Sequence, residues 1–215
     1  DAPRLAEEVI DCGKFALVNY EKSLNTDEAN KDLLFSDEHI FSLRGQNVKS
    51  DAEGVHKQIT GTDGNVQMAS GYQSILYLGD LEDYRLNWYK SFYIIKYTSD
   101  NSERFFPKMP MIRLSEMYLI AAEGWMEDDP EHAAELLQTL KQARTKSIVN
   151  KQTVTEEMIL LEMRKEFVGE GQLFYVYKRL NHDIIGNTSE DGVKASNRVF
   201  VLPLPEEEIE YGYRN

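Results

Sequence analysis

Between residues 113 and 180, apolar side chains recur every three or four positions, which is the spacing of helices that bury one face. The pattern predicts one helix over 113–126 and another over 173–180. The same spacing continues between these two segments. The second half of the chain is therefore predicted to consist largely of α-helices joined by short connections.

Local signals predict where two further helices begin. Asp129 is a favoured N-cap and Pro130 a favoured first residue, so one helix begins there. Thr153 is followed three residues later by Glu156, which is the spacing of a capping box and predicts the start of the next helix. Two helical hairpins with short loops indicate stacked helix pairs, although the sequence has no clean repeat period.

The rest of the chain carries weaker patterns. Residues 2–12 predict a short helix that ends at Gly13, a favoured residue after a helix. The polar, glycine-rich segment 44–71 has no strong periodicity, and such long segments are usually functional or disordered. Residues 93–97 favour a strand by their β-branched and aromatic content. Residues 198–202 are also strand-like, and two prolines follow them.

Composition and charge narrow the classes of function. The 215 residues suffice for one sizeable core, and the net charge of −13 would repel nucleic acid. No stretch approaches the roughly 18 apolar residues that a membrane helix needs. The first residues lack both a starting Met and a secretory segment, which indicates a processed or truncated chain. The single cysteine, Cys12, follows an apolar helical pattern and is predicted to be a buried thiol.

Three glutamates, at Glu162, Glu166 and Glu170, share one face of a predicted helix. Paired carboxylates perform acid–base chemistry on glycosides, which makes a hydrolase one hypothesis. A ladder of ion pairs explains the same spacing, and such pairs add a few tenths of a kcal/mol each on a helix surface. The arginines available as partners are Arg144, Arg164 and Arg179. We favour the structural ladder of ion pairs. The four histidines are scattered along the sequence and do not have the spacing of metal ligands.

An aromatic region supplies the candidate ligand-binding residues. Sugars stack on exposed aromatic rings while polar side chains bind their hydroxyl groups. The candidate aromatic residues are Trp88, Tyr89, Tyr72 and Tyr77, and the candidate polar residues are Asp83, Arg85 and Asn87. The competing interpretation is that alternate side chains simply face the core, as half of any strand must.

Five segments resemble a known family in their residues, order and spacing. They are 113–123 (Arg113-Leu-Ser-Glu-Met-Tyr-Leu-Ile-Ala-Ala-Glu123), 140–144, 159–171, 174–179 and 200–205. Together they resemble the C-terminal signature of SusD/RagB proteins, the surface glycan-binding lipoproteins of Bacteroidetes. Upstream, the segment Asp83-Tyr84-Arg85 resembles a recurring Asp-x-Arg element of the same family.

The resemblance implies a mainly α, SusD-like fold in which helix pairs of the TPR (tetratricopeptide repeat) type are joined by irregular loops and a few short strands. It implies one continuous domain, with a loop-rich, aromatic, ligand-facing part over 1–104 and the family's C-terminal helical region over 105–215. Family members are typically more than twice this length. The N-terminal repeats and the lipid-bearing cysteine are therefore expected to be missing from this chain.

The function that the resemblance implies is non-catalytic binding of an oligosaccharide or other nutrient. The ligand would pass to a SusC-like TonB-dependent transporter in the outer membrane, and the protein would be a surface-exposed lipoprotein there. No enzymatic activity, cofactor, metal or nucleic-acid partner is expected. Two alternatives stay open: a helical adaptor that binds protein and no small molecule, and, ranked below it, a glycoside hydrolase.

Overall fold

Helices dominate the computed structural model, which describes residues 1–18, 32–45, 72–90, 93–94, 96, 108–186 and 192–203. The α-helices are α1 (Ala2–Asp11), α2 (Tyr72–Tyr77), α3 (Leu114–Trp125), α4 (Pro130–Gln142), α5 (Glu156–Glu166), α6 (Leu173–Leu180) and α7 (Asn197–Phe200). Two 3₁₀ turns cover Ser36–Glu38 and Tyr84–Trp88. The predicted mainly α fold class is confirmed. Among the described helices, none has both the length and the apolar character needed to cross a membrane.

The described strands form two small antiparallel sheets. β1 (His39–Arg44) pairs with β4 (Lys108–Arg113), and the register shifts twice near the start of β1. β2 (Tyr89–Lys90) pairs with β3 (Tyr93–Ile94). The strand predicted over 93–97 is therefore present at its first two residues, whereas 95 and 97 lie outside the described residues. Most of the polar segment 44–71 and the residues beyond 203 also lie outside them.

The chain divides into two compact units, residues 1–169 and 170–215. In the first unit, α3 packs against α1, α4 and α5, so it is the central helix. Its buried face includes Leu119, Ala121 and Ala122, all fully inaccessible to solvent. The second unit contains α6 and α7, and a bridge between Ile184 and Val193 closes the loop between them.

Capping explains the start of α4 and corrects the start of α5. Asp129 caps α4 as predicted, because its carboxylate accepts a hydrogen bond from the backbone N–H of His132 at 3.1 Å. The cap of α5 is Thr155, whose hydroxyl accepts from the N–H of Met158 at 3.3 Å. The capping box predicted at Thr153 is therefore wrong by two residues. Val154, immediately before the true cap, is buried.

The strand predicted over 198–202 is wrong, because residues 197–200 form the short helix α7. The backbone N–H groups of Phe200 and Val201 donate to the carbonyl oxygens of Ser196 and Asn197 at 3.0 and 2.9 Å. The side chain of Phe200 is buried. Its burial within the second unit outweighs the weak strand preference of β-branched residues.

Cys12 is exposed, so the predicted buried thiol is also wrong. The helix α1 ends at Asp11, and Gly13 follows in a left-handed conformation with φ +66°, as the predicted stop requires. The buried stripe of α1 includes Ala6. Cys12 follows the last helical residue and lies off this stripe, so the apolar pattern did not extend to it.

The glycine at 124 lets α1 and α3 approach each other closely, and this gives a first prediction. A Cβ there would lie 2.8 Å from two ring carbons of Pro3. Gly124→Ala gains about 1 kcal/mol of helix propensity, but overpacking against a rigid ring costs about 1–3 kcal/mol. We therefore expect the variant to lose up to about 2 kcal/mol in the free energy of unfolding, as measured by urea denaturation.

A double variant isolates the cause of this loss. Pro3→Gly removes all three ring carbons, Cβ, Cγ and Cδ, that the new methyl group would meet. In that background, Gly124→Ala should be neutral or stabilising, because only the gain in helix propensity remains. An equal loss in both backgrounds would show that the Pro3 ring is not the obstacle.

Candidate functional site

The candidate aromatic residues lie mostly inside the core of the first unit. A buried cluster joins Val18, Leu33, Phe35, Leu76, Tyr77, Trp88, Tyr89 and Val168. Trp88 has no exposed surface, and its Nε1–H donates to the carbonyl oxygen of Leu33 at 2.8 Å. The ring of Phe35 lies 5.0 Å from the Trp88 ring, and the ammonium of Lys96 lies 3.7 Å from it. The indole is therefore held by protein groups around it.

The structure separates the seven ligand-binding candidates by exposure. Trp88, Tyr89, Tyr77, Asp83 and Arg85 are all buried. Tyr72 and Asn87 are half-buried. A buried ring offers no open face to a sugar in this arrangement, so only Tyr72 and Asn87 keep surface that a ligand could reach. The other five candidates face the core, as the competing interpretation of the sequence proposed.

The charged candidates meet in one buried network around the carboxylate of Glu166. Its oxygens accept from Arg144 Nε at 2.7 Å, Arg85 Nη1 at 3.0 Å and Arg113 Nη1 at 3.2 Å. The backbone carbonyl of Glu166 also accepts from Arg113 Nη2 at 2.9 Å and from Lys96 Nζ at 3.2 Å. The C-terminal end of α5 is thereby bound to four cationic side chains that come from distant parts of the sequence.

Arg85 joins this carboxylate to the second glutamate of the ladder. Its guanidinium binds Asp83 through two parallel hydrogen bonds, from Nε at 2.9 Å and from Nη2 at 2.6 Å. Its Nη1 also donates to Glu162 at 2.9 Å, and Lys165 Nζ donates to the other oxygen of Glu162 at 3.0 Å. Paired contacts of this kind fix the plane of the guanidinium as well as its charge.

Arg144 extends the network to the 3₁₀ turn Ser36–Glu38 before β1. Its Nη2 donates to Glu38 Oε2 at 2.8 Å, and its Nη1 lies 2.8 Å from Glu38 Oε1. Glu38 Oε1 also accepts from the backbone N–H of Val18 at 2.9 Å. The guanidinium stacks 4.7 Å from the ring centroid of Phe35, so the network rests on the aromatic cluster.

Electrostatics keep both central glutamates ionised. Burial alone raises the pKa of a carboxylate, because the low-dielectric interior disfavours charge. In Glu166 the charges of Arg144, Arg85 and Arg113 outweigh burial and hold the pKa well below its ordinary value. In Glu162 the charges of Arg85 and Lys165 outweigh burial in the same way and lower the pKa. Neither group is poised to give or take a proton near neutral pH.

The other predicted members of the ladder have different surroundings. Arg164 is buried, with its guanidinium 5.8 Å from the ring centroid of Tyr72. Glu170 and Arg179 belong to the second unit, where Gln172 Nε2 donates to Glu170 at 3.2 Å. Arg179 is exposed on α6. The sequence did not indicate Glu38 or Arg113 as charge partners, and Asp83 and Arg85 were assigned to a ligand instead of to this network.

An open cleft lies apart from the aromatic cluster, and we call it the α1–β1 cleft. Its volume is about 330 Å³, and the described residues that line it are Gly13, Lys14, Phe15, Ala16, Ser36, Asp37 and His39. The two segments that form it are joined where the N–H of Ala16 donates to the carbonyl oxygen of Asp37 at 3.2 Å. Such a volume falls at the lower end of the range for small-molecule sites, roughly 300–1,000 Å³.

The described residues do not form a metal-binding site. Within the residues that the structure describes, no three His, Cys, Asp or Glu side chains group together as a metal site requires. The charged residues that do cluster are bound to one another.

Comparison with known proteins identifies a family whose sequence pattern this chain matches. The model of the SusD family matches residues 37–210, which is most of the chain. No curated protein sequence matches the chain.

Solved structures share the fold. A SusD superfamily protein from Bacteroides thetaiotaomicron VPI-5482 superposes with a TM-score of 0.73 at 24% identity, over 98% of this chain and 54% of that chain. A protein proposed to bind sugar, from Bacteroides vulgatus ATCC 8482, superposes with a TM-score of 0.67 at 26% identity, over 97% of this chain and 52% of that chain. A SusD-like carbohydrate-binding protein from the same strain superposes with a TM-score of 0.67 at 15% identity, over 97% of this chain and 53% of that chain. The chain therefore spans about half the length of these relatives.

Proposed function

This chain belongs to the SusD family, and we propose that it binds a neutral oligosaccharide without cleaving it. The observation that carries the proposal is the family match over residues 37–210. Among the solved relatives of the same fold, one is a SusD-like carbohydrate-binding protein. Because the chain spans only about half of those relatives, its ligand and partners belong to this proposal.

The buried network supports binding in preference to hydrolysis. A glycoside hydrolase needs one carboxylic acid that keeps its proton and a second carboxylate that faces the sugar. Glu162 and Glu166 are both buried, and each is bound to cationic side chains that lower its pKa. The pair would have to lose these partners before it could act on a substrate, so we assign it a structural role.

The partner that we propose is a SusC-like TonB-dependent transporter, with the protein acting at the surface of the outer membrane. This part of the proposal rests on the family alone. It is tested by co-purification of the chain with SusC-like transporters from its own source organism. A helical adaptor that binds only protein would form that complex without gaining stability from any sugar.

The glycan part of the proposal predicts ligand-induced stabilisation. The chain is heated with neutral hexasaccharides from glucan, xylan, mannan, galactan and fructan. A ligand that binds only the folded state adds about 2.7 kcal/mol at 100 times its Kd, so we expect at least one of them to raise Tm by several degrees. Overnight incubation with the stabilising sugar should leave its length unchanged by mass spectrometry.

The outcomes separate the three classes of function. Stabilisation with an intact sugar supports capture without catalysis. Shortened sugar chains would overturn the non-catalytic assignment, and Glu162→Gln and Glu166→Gln would then be compared for loss of cleavage. Failure of all five sugar classes to stabilise the chain would overturn glycan binding, and a stable transporter complex would then favour the adaptor.

A further inference from the structure

The α1–β1 cleft combines the groups that bind a sugar, and it is separate from the residues that the sequence nominated. Phe15 and His39, both half-buried, contribute an aromatic ring and an imidazole to its lining. Lys14 and Asp37 are exposed, and Ser36 supplies a hydroxyl. An aromatic face beside a few polar groups is the composition expected of a carbohydrate site.

The hydrogen bonds of His39 leave one ring nitrogen as an acceptor. Its Nε2 lies 2.9 Å from the carbonyl oxygen of Leu34, and a carbonyl only accepts, so Nε2 carries the proton. Burial lowers the pKa of His39, and the ring is therefore neutral at pH 7. Nδ1 is consequently an acceptor. It is buried and has no hydrogen-bond partner among the described residues. Because Nδ1 has no accessible surface, a ligand in the cleft does not reach it, and His39 contributes only the rest of its half-buried ring to the lining.

Ser36 supplies a hydrogen-bond acceptor to the cleft. Its hydroxyl donates to Asp32 Oδ1 at 3.3 Å, and its backbone N–H donates to Asp32 Oδ2 at 2.7 Å. With its proton engaged, the Ser36 oxygen keeps lone pairs for an incoming donor. The carboxylate of Asp37 accepts as well, and the Lys14 ammonium donates.

The charges of the cleft favour a neutral ligand. Among the described residues of the lining, Asp37 carries one negative charge, Lys14 carries one positive charge, and the His39 ring carries none at pH 7. Acceptors outnumber donors among the polar side chains of the described lining, which suits a molecule rich in hydroxyl donors. A uronic acid or a sulfated sugar would instead bring a charge without a surplus cation to match it.

We propose that the α1–β1 cleft binds one unit of a neutral sugar, with the ring stacked on Phe15 and its hydroxyl groups bonded to Ser36 and Asp37. The inference rests on the proposed function and deepens it, because it moves the sugar contact away from the buried residues around Trp88. It also assigns the contact to side chains that carry no recognisable motif in the sequence.

Calorimetric titration of two cleft variants tests this assignment, with the five neutral hexasaccharides as probes. Phe15→Leu keeps an apolar side chain but removes the flat ring, and Asp37→Asn removes one charged acceptor at an exposed position. Each should raise Kd about tenfold for the sugar that binds the parent chain. Phe41→Leu is the matched control, since Phe41 is 50% exposed on β1 and outside the cleft lining. It should change Kd by less than about twofold.

The readouts distinguish the failure of the site from the failure of the function. Unchanged affinity in both cleft variants, with the parent chain still binding sugar, would overturn the cleft and leave the proposed function standing. Absence of sugar binding by the parent chain would overturn both. Thermal unfolding of each variant accompanies the titrations. If Phe15→Leu loses its fold, Asp37→Asn decides the outcome, because its side chain lies at the surface.

Discussion

Glu166→Gln lowers the free energy of unfolding by about 3–5 kcal/mol, because it leaves buried cations without their shared counter-charge. Arg144, Arg85 and Arg113 all donate to this carboxylate, and its side chain has no exposed surface. The amide of glutamine cannot accept on both sides, and one of its groups would donate toward a guanidinium. Urea denaturation followed by circular dichroism measures the loss.

The control for this substitution is a glutamate on the same helix that faces solvent. Glu156 lies in the first turn of α5 and is exposed, so Glu156→Gln should cost no more than about 1 kcal/mol. Equal losses for the two variants would contradict the structural role of the network.

The loss of stability at acidic pH offers a second way to compare the parent chain with the Glu166→Gln variant. A carboxylate whose pKa is lowered by folding contributes its full stabilisation at pH values above its ordinary pKa, about 4.3. This contribution is lost as the pH falls from there through the lowered pKa. Glu162 and Glu166 both have lowered pKa values. The parent chain should therefore lose stability more steeply below about pH 4.3 than the Glu166→Gln variant.

Trp88→Ala should cost a further large amount, about 3–5 kcal/mol, through a different mechanism. The indole has no exposed surface, so its removal leaves a cavity in the aromatic cluster. The substitution also removes the donor to the Leu33 carbonyl and the ring beneath the Lys96 ammonium. Thermal and urea unfolding of the variant measure the cost.

Trp88→Phe is the matched variant, because it keeps most of the ring and loses the N–H donor. It should cost roughly 1–3 kcal/mol, the penalty of an unpaired buried carbonyl and a small cavity. It should also retain sugar binding. The account would be contradicted if Trp88→Ala kept full stability and lost sugar affinity, since that is the behaviour of an exposed stacking residue.

Helix positions were predictable because they depend on local chemistry. The α6 helix occupies Leu173–Leu180, the range that the apolar spacing predicts, and Asp129 caps α4 through its own neighbour. The errors occurred where local signals were weak or duplicated. Two threonines, Thr153 and Thr155, offered caps, and the structure shows that the Thr155 hydroxyl is the one that accepts from the helix backbone.

The partners of the charged residues were not predictable, because they are distant in sequence. Arg85 reaches Glu166 across 81 positions, and Arg144 reaches Glu38 across 106. Periodicity identifies the face on which a residue lies, but it does not identify what packs there. Glu162 and Glu166 were therefore recognised as an ion-pair ladder, whereas Glu38 and Arg113 were not.

The aromatic residues show the same limit in another form. Composition indicated that rings cluster around Trp88, and they do cluster, but as core instead of exposed platform. A Trp or Tyr contributes the same sequence signal whether its ring faces water or protein. The α1–β1 cleft, in contrast, is lined by residues that form no motif, namely Gly13–Ala16, Ser36, Asp37 and His39, so only the packing of two distant segments brings them together.

Amide chemical-shift mapping of the bound sugar tests the central claim most directly. The chain is labelled with ¹⁵N and titrated with the hexasaccharide that stabilises it. We expect the largest shifts at the amides of residues 13–16 and 36–39, and small shifts at 84–89, where the buried network and Trp88 hold the backbone. Large shifts confined to 84–89 would contradict the account, because they would place the sugar on the residues that the structure assigns to the core.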